Sequence, residues 1–251
     1  MNALSEFFAA HPKLAVAFSG GTDSAYLLWA AARQGVDVQP YFAKSAFQPA
    51  FELDDARRLC CQLGLRLRVV ELDVLSVPRV ADNPADRCYW CKHAIFSALL
   101  AAARADGYEQ IADGTNASDQ VDDRPGMRAL RELGVLSPLR LCGISKADVR
   151  RLSADQGLFT ADKPSYACLA TRVPAGERIT AEKLQKVERA ESALFALGYS
   201  DLRVRLRGAG ALLQLPAAQQ ERARAGWAEI LAALGGEFDE IRLDPKGRES
   251  Q

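Results

Sequence analysis

The 251-residue chain has no excess of either charge: Lys and Arg together number 32, and so do Asp and Glu. It also has no polybasic block. A nucleic-acid backbone, bound by neutralising phosphates with Lys and Arg, therefore finds no compositional support as a partner. No apolar run comes near the roughly 20 residues that a membrane span requires, and no signal-peptide pattern is present, so a cytoplasmic location without a membrane partner is expected. No internal repeat or low-complexity segment interrupts the chain. In a reducing compartment the six cysteines are expected to be ligands, catalysts or core residues rather than a disulfide framework. At this length one large core, or a core with a small satellite, can be buried, since single domains run to about 200 residues.

A lysine is missing where nucleotide loops often carry one. The stretch Ser19-Gly20-Gly21-Thr22-Asp23-Ser24 follows an apolar run, Leu14 to Phe18, that reads as a buried strand, and it opens a helical run from Ala25 to Gln34. Two glycines allow a tight turn and close approach to an anion. Ser19, Thr22 and Ser24 add hydroxyls at a positive helix N-terminus, where Asp23 also sits. The pattern is neither GxxxxGK[ST] nor GxGxxG. A phosphate or pyrophosphate is the ligand that this strand, glycine turn and helix would suit.

Further along, Val36 to Ala43 reads as a second strand, Phe51 to Leu63 as a helix and Leu65 to Leu72 as a third strand. This βαβαβ alternation predicts an α/β fold with a doubly wound parallel sheet, in which ligands bind beyond the carboxyl ends of the strands. Ser45, just past the second strand, is placed to meet the adenine of a nucleotide held by the loop. Glu109 to Asp113 predicts another strand. It delivers Asp113-Gly114-Thr115-Asn116-Ala117-Ser118-Asp119 to the same edge, with Gly114, Thr115 and Asn116 suited to close approach to a nucleotide. Asp119 and Asp123 are candidates for magnesium, a hard cation taking oxygen ligands, whereas Asp122 reads first as an ordinary turn residue.

The thiols divide by context. Cys60 and Cys61 lie in a helix with Leu59 and Leu63, and Cys142 lies among apolar neighbours; all three read as packing. Cys88 and Cys91, in Arg87-Cys88-Tyr89-Trp90-Cys91-Lys92-His93, stand at the start of a helix to Ala105. A positive helix end beside basic residues favours thiolates, able to bind metal or act as nucleophiles. By itself the motif fits zinc, a redox disulfide or an iron–sulfur cluster. His93 reads as a polar residue of the helix start. Ser145 to Asp148 resembles a capping start for a helix to about Gln156. After it, Cys168 in Asp162 to Arg172 is a lone loop cysteine near Lys163 and Arg172, a candidate nucleophile or third metal ligand.

A second, smaller α+β domain is expected beyond residue 175. A first domain of 1–175 and a second of 176–251 follow, the latter reading helix (Ala181 to Leu197), strand (Leu202 to Arg207), strand (Ala211 to Leu215), helix (Ala217 to Leu234) and strand (Phe238 to Leu243). In the first of these strands Arg203, Arg205 and Arg207 alternate with Val204 and Leu206, which puts three guanidiniums on one face. Such a face is either solvated or a phosphate site, since guanidinium geometry suits phosphate.

With SGGTDS, RCYWCK, DGTNASD, the run from Ile144 to Gln156 and KPSYACLATR in this order, the chain resembles the LarE family of pyridinium biscarboxylate sulfur transferases, within the PP-loop ATP-pyrophosphatase superfamily. The likeness covers nearly the whole chain. It implies an adenine-nucleotide α-hydrolase-like fold with ATP and magnesium at the glycine loop. It also implies an AMP-forming reaction in which a carboxylate of a pyridinium mononucleotide is adenylated and then converted to a thiocarboxylate, in the making of the nickel-pincer cofactor of lactate racemase. In some members one cysteine, matching Cys168, gives up its sulfur and is consumed. Others hold a 4Fe-4S cluster on three thiolates, which would here be Cys88, Cys91 and Cys168, with an open iron for sulfide from a sulfur donor; three cysteines favour this class. The resemblance further implies Trp90, Thr171, Arg172 and Glu191 around the substrate, Arg203 and Arg205 on its phosphate, and trimers paired into hexamers. Thr171 stands where the family is expected to carry Ser.

Three other readings compete. A tRNA thiolase of the same superfamily also joins a pyrophosphate loop to CxxC and a third cysteine, but the balanced charge disfavours it. A regulatory ATP- or zinc-binding module without turnover predicts stoichiometric zinc and no pyrophosphate release. An amidotransferase-type ligase using ammonia leaves the cysteines without a role.

Overall fold

A computed structural model describes residues 3–119 and 125–248. The chain divides into two compact units, one of residues 1–80 and 86–163, the other of residues 81–85 and 164–251.

The first unit opens with α1 (Ala3–Ala10), whose Leu4 and Phe8 are buried, and β1 (Lys13–Ala17). Then follow α2 (Thr22–Arg33), β2 (Asp37–Lys44), α3 (Ala50–Gln62) and β3 (Arg68–Glu71). After the short α4 (Pro78–Ala81) come α5 (Arg87–Ala105), the two-residue β4 (Ile111–Ala112), α6 (Pro125–Glu132), α7 (Pro138–Leu141) and α8 (Lys146–Asp155). The four strands form one parallel sheet in the order β3-β2-β1-β4. An isolated parallel bridge from Ala112 to Leu136 extends it past β4.

Alternation along β1 explains the layers. Leu14 and Val16 join Leu27, Leu28, Leu59 and Val149 in one core, while Ala15 joins Tyr41, Leu99, Leu100 and Ile111 in another. The sheet is therefore covered by helices on both faces, as the βαβ alternation predicts. From β1 the chain winds outward to β3, then returns to place β4 on the other side of β1. That reversal is a topological switch point, the place on such a sheet where ligands bind beyond the carboxyl ends of the strands.

Several boundaries differ from expectation, β4 and β7 among them being shorter than the runs Glu109 to Asp113 and Phe238 to Leu243. The third strand begins at Arg68 rather than Leu65, because Gly64 (φ +67°) ends α3 and the Leu65 amide bonds the Cys60 carbonyl. The helix expected over Ala94 to Ala105 begins at Arg87, so CxxC lies within the first turns of α5.

The second unit holds α9 (Ala181–Ala196), β5 (Arg203–Arg207), β6 (Gly210–Gln214), α10 (Ala217–Ala225), α11 (Trp227–Leu234) and β7 (Ile241–Leu243). Its sheet has the order β5-β6-β7, antiparallel then parallel. The single helix expected over 217–234 is two helices, broken at Gly226, a residue with a weak helical preference. On β5, Val204 and Leu206 are buried and the arginines alternate with them.

Candidate active site

At the switch point the glycine turn is built by backbone contact. Gly20 has φ +75°, and a Cβ there would lie 2.6 Å from the Glu52 carbonyl oxygen of α3. Gly21 precedes α2 in extended conformation. Ser19 Oγ and Ser24 Oγ lie 3.0 Å apart, the Gly21 amide donates to Ser19 Oγ at 3.3 Å, and Ser24 Oγ donates to the Gly21 carbonyl at 3.2 Å. Thr22 turns away: its hydroxyl donates to the Thr160 carbonyl at 2.9 Å, and the residue is buried. Thr22 thus anchors the loop through its side chain, whereas Ser19 and Ser24 line the turn.

The loop after β4 meets this turn directly. A Cβ on Gly114 would sit 2.7 Å from the Ser24 amide nitrogen, so only glycine allows the two backbones this approach. Asp113 shapes the second loop, accepting from Thr115 Oγ1 at 2.5 Å, the Thr115 amide at 3.2 Å and Ser137 Oγ at 2.7 Å. Asn116 Nδ2 donates to Asp23 Oδ1 at 3.3 Å, and the Asn116 amide donates to Asp119 Oδ2 at 3.0 Å. Asp119 is thereby a turn-forming carboxylate as well as a candidate for magnesium; Asp122 and Asp123 lie outside the described residues. Ser45 is buried, with its hydroxyl donating to Gln48 Oε1 at 2.7 Å, in a local turn at the end of β2.

Two lysines that sequence reasoning left without a role at the loop reach it. Lys146 Nζ donates to Asp23 Oδ2 at 2.6 Å, both side chains being about a quarter exposed (26% and 24%). Lys163 Nζ donates to the Gly20 carbonyl at 3.0 Å and to Asp55 Oδ2 at 2.5 Å. The cation absent from the glycine motif is thus present in space, supplied from far along the chain. The only signal for Lys146 was its place just after a helix-capping serine.

On α5, Cys88 is exposed and Cys91 half-buried, and the Arg87 guanidinium donates to Cys88 Sγ at 3.6 Å. Trp90 Nε1 donates to Asp86 Oδ2 at 2.9 Å, and the Arg79 guanidinium lies 5.0 Å from the Trp90 ring centroid. None of the six cysteines forms a disulfide. Burial pushes the Cys60 thiol up to about 12 and raises that of Cys142, burial acting first and the Glu6 carboxylate second, as suits inert packing.

In the second unit the Cys168 segment rests on a buried ion pair. Arg172 donates from Nε to Glu191 Oε1 at 2.8 Å and from Nη2 to Oε2 at 3.1 Å. Glu191 also accepts from the Tyr166 hydroxyl and from the Val204 amide of β5, the latter at 2.8 Å. Arg172 Nη1 donates to the Ala167 carbonyl at 2.7 Å, to Thr171 Oγ1 at 2.9 Å and, more weakly, to the Cys168 carbonyl at 3.4 Å. Arg172 and Glu191, two of the four residues expected around the substrate, make these bonds to protein groups, and their geometry is that of a brace. Burial, the largest influence, lowers the affinity of Arg172 for its proton, yet the Glu191 carboxylate raises it on balance.

Beside this brace the positive charge is under-compensated. Arg205 donates from Nη1 to the Thr171 carbonyl at 3.0 Å and from Nε to Gln214 Oε1 at 2.7 Å. Arg203 Nε is buried with no hydrogen-bond partner among the described residues. Burial, then repulsion from Arg248, Arg172 and Arg205, pushes the Arg203 guanidinium down to about 10. Burial first, then repulsion from Arg172, Arg207 and Arg248, lowers Arg205 as well. An anion at this strand would relieve both costs.

The donor set of the expected metals can be tested on these residues. An ion that keeps several waters and is carried in on phosphates needs only one or two protein carboxylates, and Asp23 at the glycine loop fits it. Among the described residues no group of three or more His, Cys, Asp or Glu is gathered to hold a metal ion. Cys88 and Cys91 belong to the first unit and Cys168 to the second.

A parallel sheet with helices on both faces, a glycine turn after its first strand and a polar loop at the switch point define a PP-loop protein. No family model matches the chain. It is 34% identical over 213 residues to the pyridinium-3,5-bisthiocarboxylic acid mononucleotide synthase of Lactiplantibacillus plantarum, a match covering 82% of this chain and 76% of that protein. An uncharacterized protein of Synechocystis is 39% identical over 221 residues, 86% of this chain and 81% of its own. Likeness to the tRNA-specific 2-thiouridylase of Rhizobium johnstonii is more distant, 29% over 193 residues, and covers 60% of this chain and 47% of that protein. The chain belongs to the family of the pyridinium-3,5-bisthiocarboxylic acid mononucleotide synthase. No helix among the described residues is long and apolar enough to cross a membrane.

Proposed function

We propose that the chain is an ATP-dependent, AMP-forming sulfur transferase acting on a pyridinium biscarboxylate mononucleotide, serving nickel-pincer cofactor biosynthesis. The observation that carries this reading is the joining of the glycine turn to the Gly114 loop, in a chain 34% identical to a protein named for such a product. A substrate carboxylate oxygen attacks the α-phosphorus of ATP and pyrophosphate leaves, giving an acyl adenylate. A sulfur nucleophile then attacks the activated carbonyl carbon, AMP leaves, and a thiocarboxylate remains. In this scheme Ser19, Gly20, Gly21 and Ser24 cradle the pyrophosphate, and Asp23 holds magnesium, which would neutralise the leaving charge. Ser45, Thr115 and Asn116 flank the nucleotide, while Arg203 and Arg205 take the mononucleotide phosphate. Trp90 and Thr171 border the acceptor, and the Arg172–Glu191 brace fixes the Cys168 segment. The first unit then serves ATP, and the second serves substrate phosphate and assembly into trimers or hexamers.

For the sulfur source we propose a 4Fe-4S cluster on Cys88, Cys91 and Cys168. The number and type of thiols support it, and no step above passes through it. Release of pyrophosphate and AMP on adding ATP and pyridinium-3,5-biscarboxylate mononucleotide tests the reaction; ATP consumption without AMP formation refutes it. Anaerobic iron and sulfide analysis of the wild type and Cys88→Ala tests the cluster. If no iron is held after reconstitution, the remaining donor is Cys168 itself, whose loss of hydrogen sulfide in one turnover mass spectrometry reads.

A further inference from the structure

Asp23 stands in the first turn of α2, where a carboxylate suited to a divalent cation is already taken by a monovalent one. Lys146 Nζ lies 2.6 Å from Asp23 Oδ2, and Asn116 Nδ2 holds the other oxygen at 3.3 Å. An ammonium has three donors, and the bond to Asp23 is the only one described for Lys146. Its backbone is fixed twice over. Ser145 accepts from the Asp148 amide at 3.1 Å while Asp148 Oδ2 accepts from the Ser145 amide at 3.2 Å, a complete capping box, and the Lys146 amide donates to Ser118 Oγ at 3.0 Å. The ammonium thus reaches the loop on a flexible stem from a rigid base. Lys163 contrasts with it, being committed to a carbonyl and a carboxylate and only 13% exposed. Lys146 thus has two donors to spare against one on Lys163, and its partner is a carboxylate of the loop itself that another cation would claim.

We propose that Lys146 is an exchangeable cation of the loop. In the nucleotide-free chain it neutralises Asp23; when ATP arrives with magnesium it yields the carboxylate and turns its ammonium onto the β- and γ-phosphate oxygens, the charge that becomes pyrophosphate. It does from α8 what the lysine of GxxxxGK[ST] does from within its own loop. The inference rests on the nucleotide reading above and adds a residue that the loop motif does not contain.

Its signature is two affinities moving in opposite directions. In Lys146→Met, Mn2+ alone, followed by electron paramagnetic resonance, should bind more tightly, since Asp23 has lost its competitor. Inorganic pyrophosphate, followed by calorimetry with a chelator present, should bind at least about tenfold more weakly, the effect of losing a charge-assisted hydrogen bond. Lys146→Arg should keep pyrophosphate binding within about threefold, because the positive charge is retained. Lys146→Gln serves in place of the methionine variant if circular dichroism shows that the latter is unfolded, with the same opposed shifts required. If both affinities fall together, or neither moves, while the wild type binds pyrophosphate, Lys146 is a structural partner of Asp23 and the nucleotide reading stands. A wild type that binds neither ATP nor pyrophosphate overturns both.

Discussion

Arg172 and Glu191 face each other through two near-parallel hydrogen bonds, 2.8 and 3.1 Å long, with side chains 0% and 1% exposed. Removing one member strands the other in the interior. Arg172→Ala or Glu191→Ala should each cost about 3–5 kcal/mol in urea unfolding, and the double variant Arg172→Met with Glu191→Leu less than the sum of the two. Additive losses would mean that the pair is not the unit described.

The contact between the two loops makes a second prediction. Gly114→Ala places a methyl 2.7 Å from the Ser24 amide and must push the backbones apart. The expected outcome is ATP binding weakened about tenfold or more with the secondary structure retained, read by equilibrium dialysis and circular dichroism. Gly35→Ala, a control where nothing lies within 4 Å, carries only the strain of its positive φ and should leave ATP affinity as it was.

Asp23→Asn keeps the Asn116 and Lys146 neighbourhood close in shape but removes the charge. Pyrophosphate release should fall about 100-fold or more, while overall stability changes little. A rate within threefold of the wild type would take Asp23 out of the reaction.

Arg203 is a destabilising cation until an anion arrives. Its folded-state pKa is pushed from 12.5 down to about 10, so the protonated form is penalised at every pH below that value and the penalty disappears only at higher pH. Arg203→Met should raise the anion-free melting midpoint by about 2 °C, a gain kept small by solvent screening, and should abolish the rise that added phosphate gives the wild type. A lower midpoint, with phosphate stabilisation intact, would show that the arginine is held by the fold alone.

The cap of α8 carries a pH dependence with a definite sign. The Ser145 side chain, then its backbone amide, then Arg151 hold the Asp148 carboxyl below its ordinary 3.8. A depressed carboxyl contributes stability that is present above the ordinary value and is lost as pH falls through the lower folded one. Ser145→Ala should cost about 1 kcal/mol near neutrality. That difference from the wild type should shrink in thermal melts taken below pH 3.8; a gap that stays constant would show that the box is not closed by the ionised carboxylate.

Much of the first unit could be read from its pattern. Apolar runs and glycine breaks place β1, α2 and β2, and parallel winding puts the Ser19–Ser24 turn at the carboxyl edge of the sheet. What local pattern could not carry was pairing over distance. The glycine motif has no lysine, so Lys146 and Lys163 were seen as a helix-start residue and a basic neighbour of a cysteine, and only folding brings them to the loop. Likewise residue type does not show that Thr22, Arg172 and Glu191 are buried with their side chains bonded to protein groups. Helical propensity summed across 217–234 outweighed the one glycine that splits it.

The anchors of the glycine loop bear on when it forms. Thr22 bonds to a residue 138 positions downstream and Gly20 to one 143 positions downstream. Contacts of such sequence separation close late, after the entropy of the intervening loop has been met. As the chain emerges from the ribosome, the glycine motif is synthesised well before its anchors, so a truncated product ending before Thr160 would carry every residue of the loop without them.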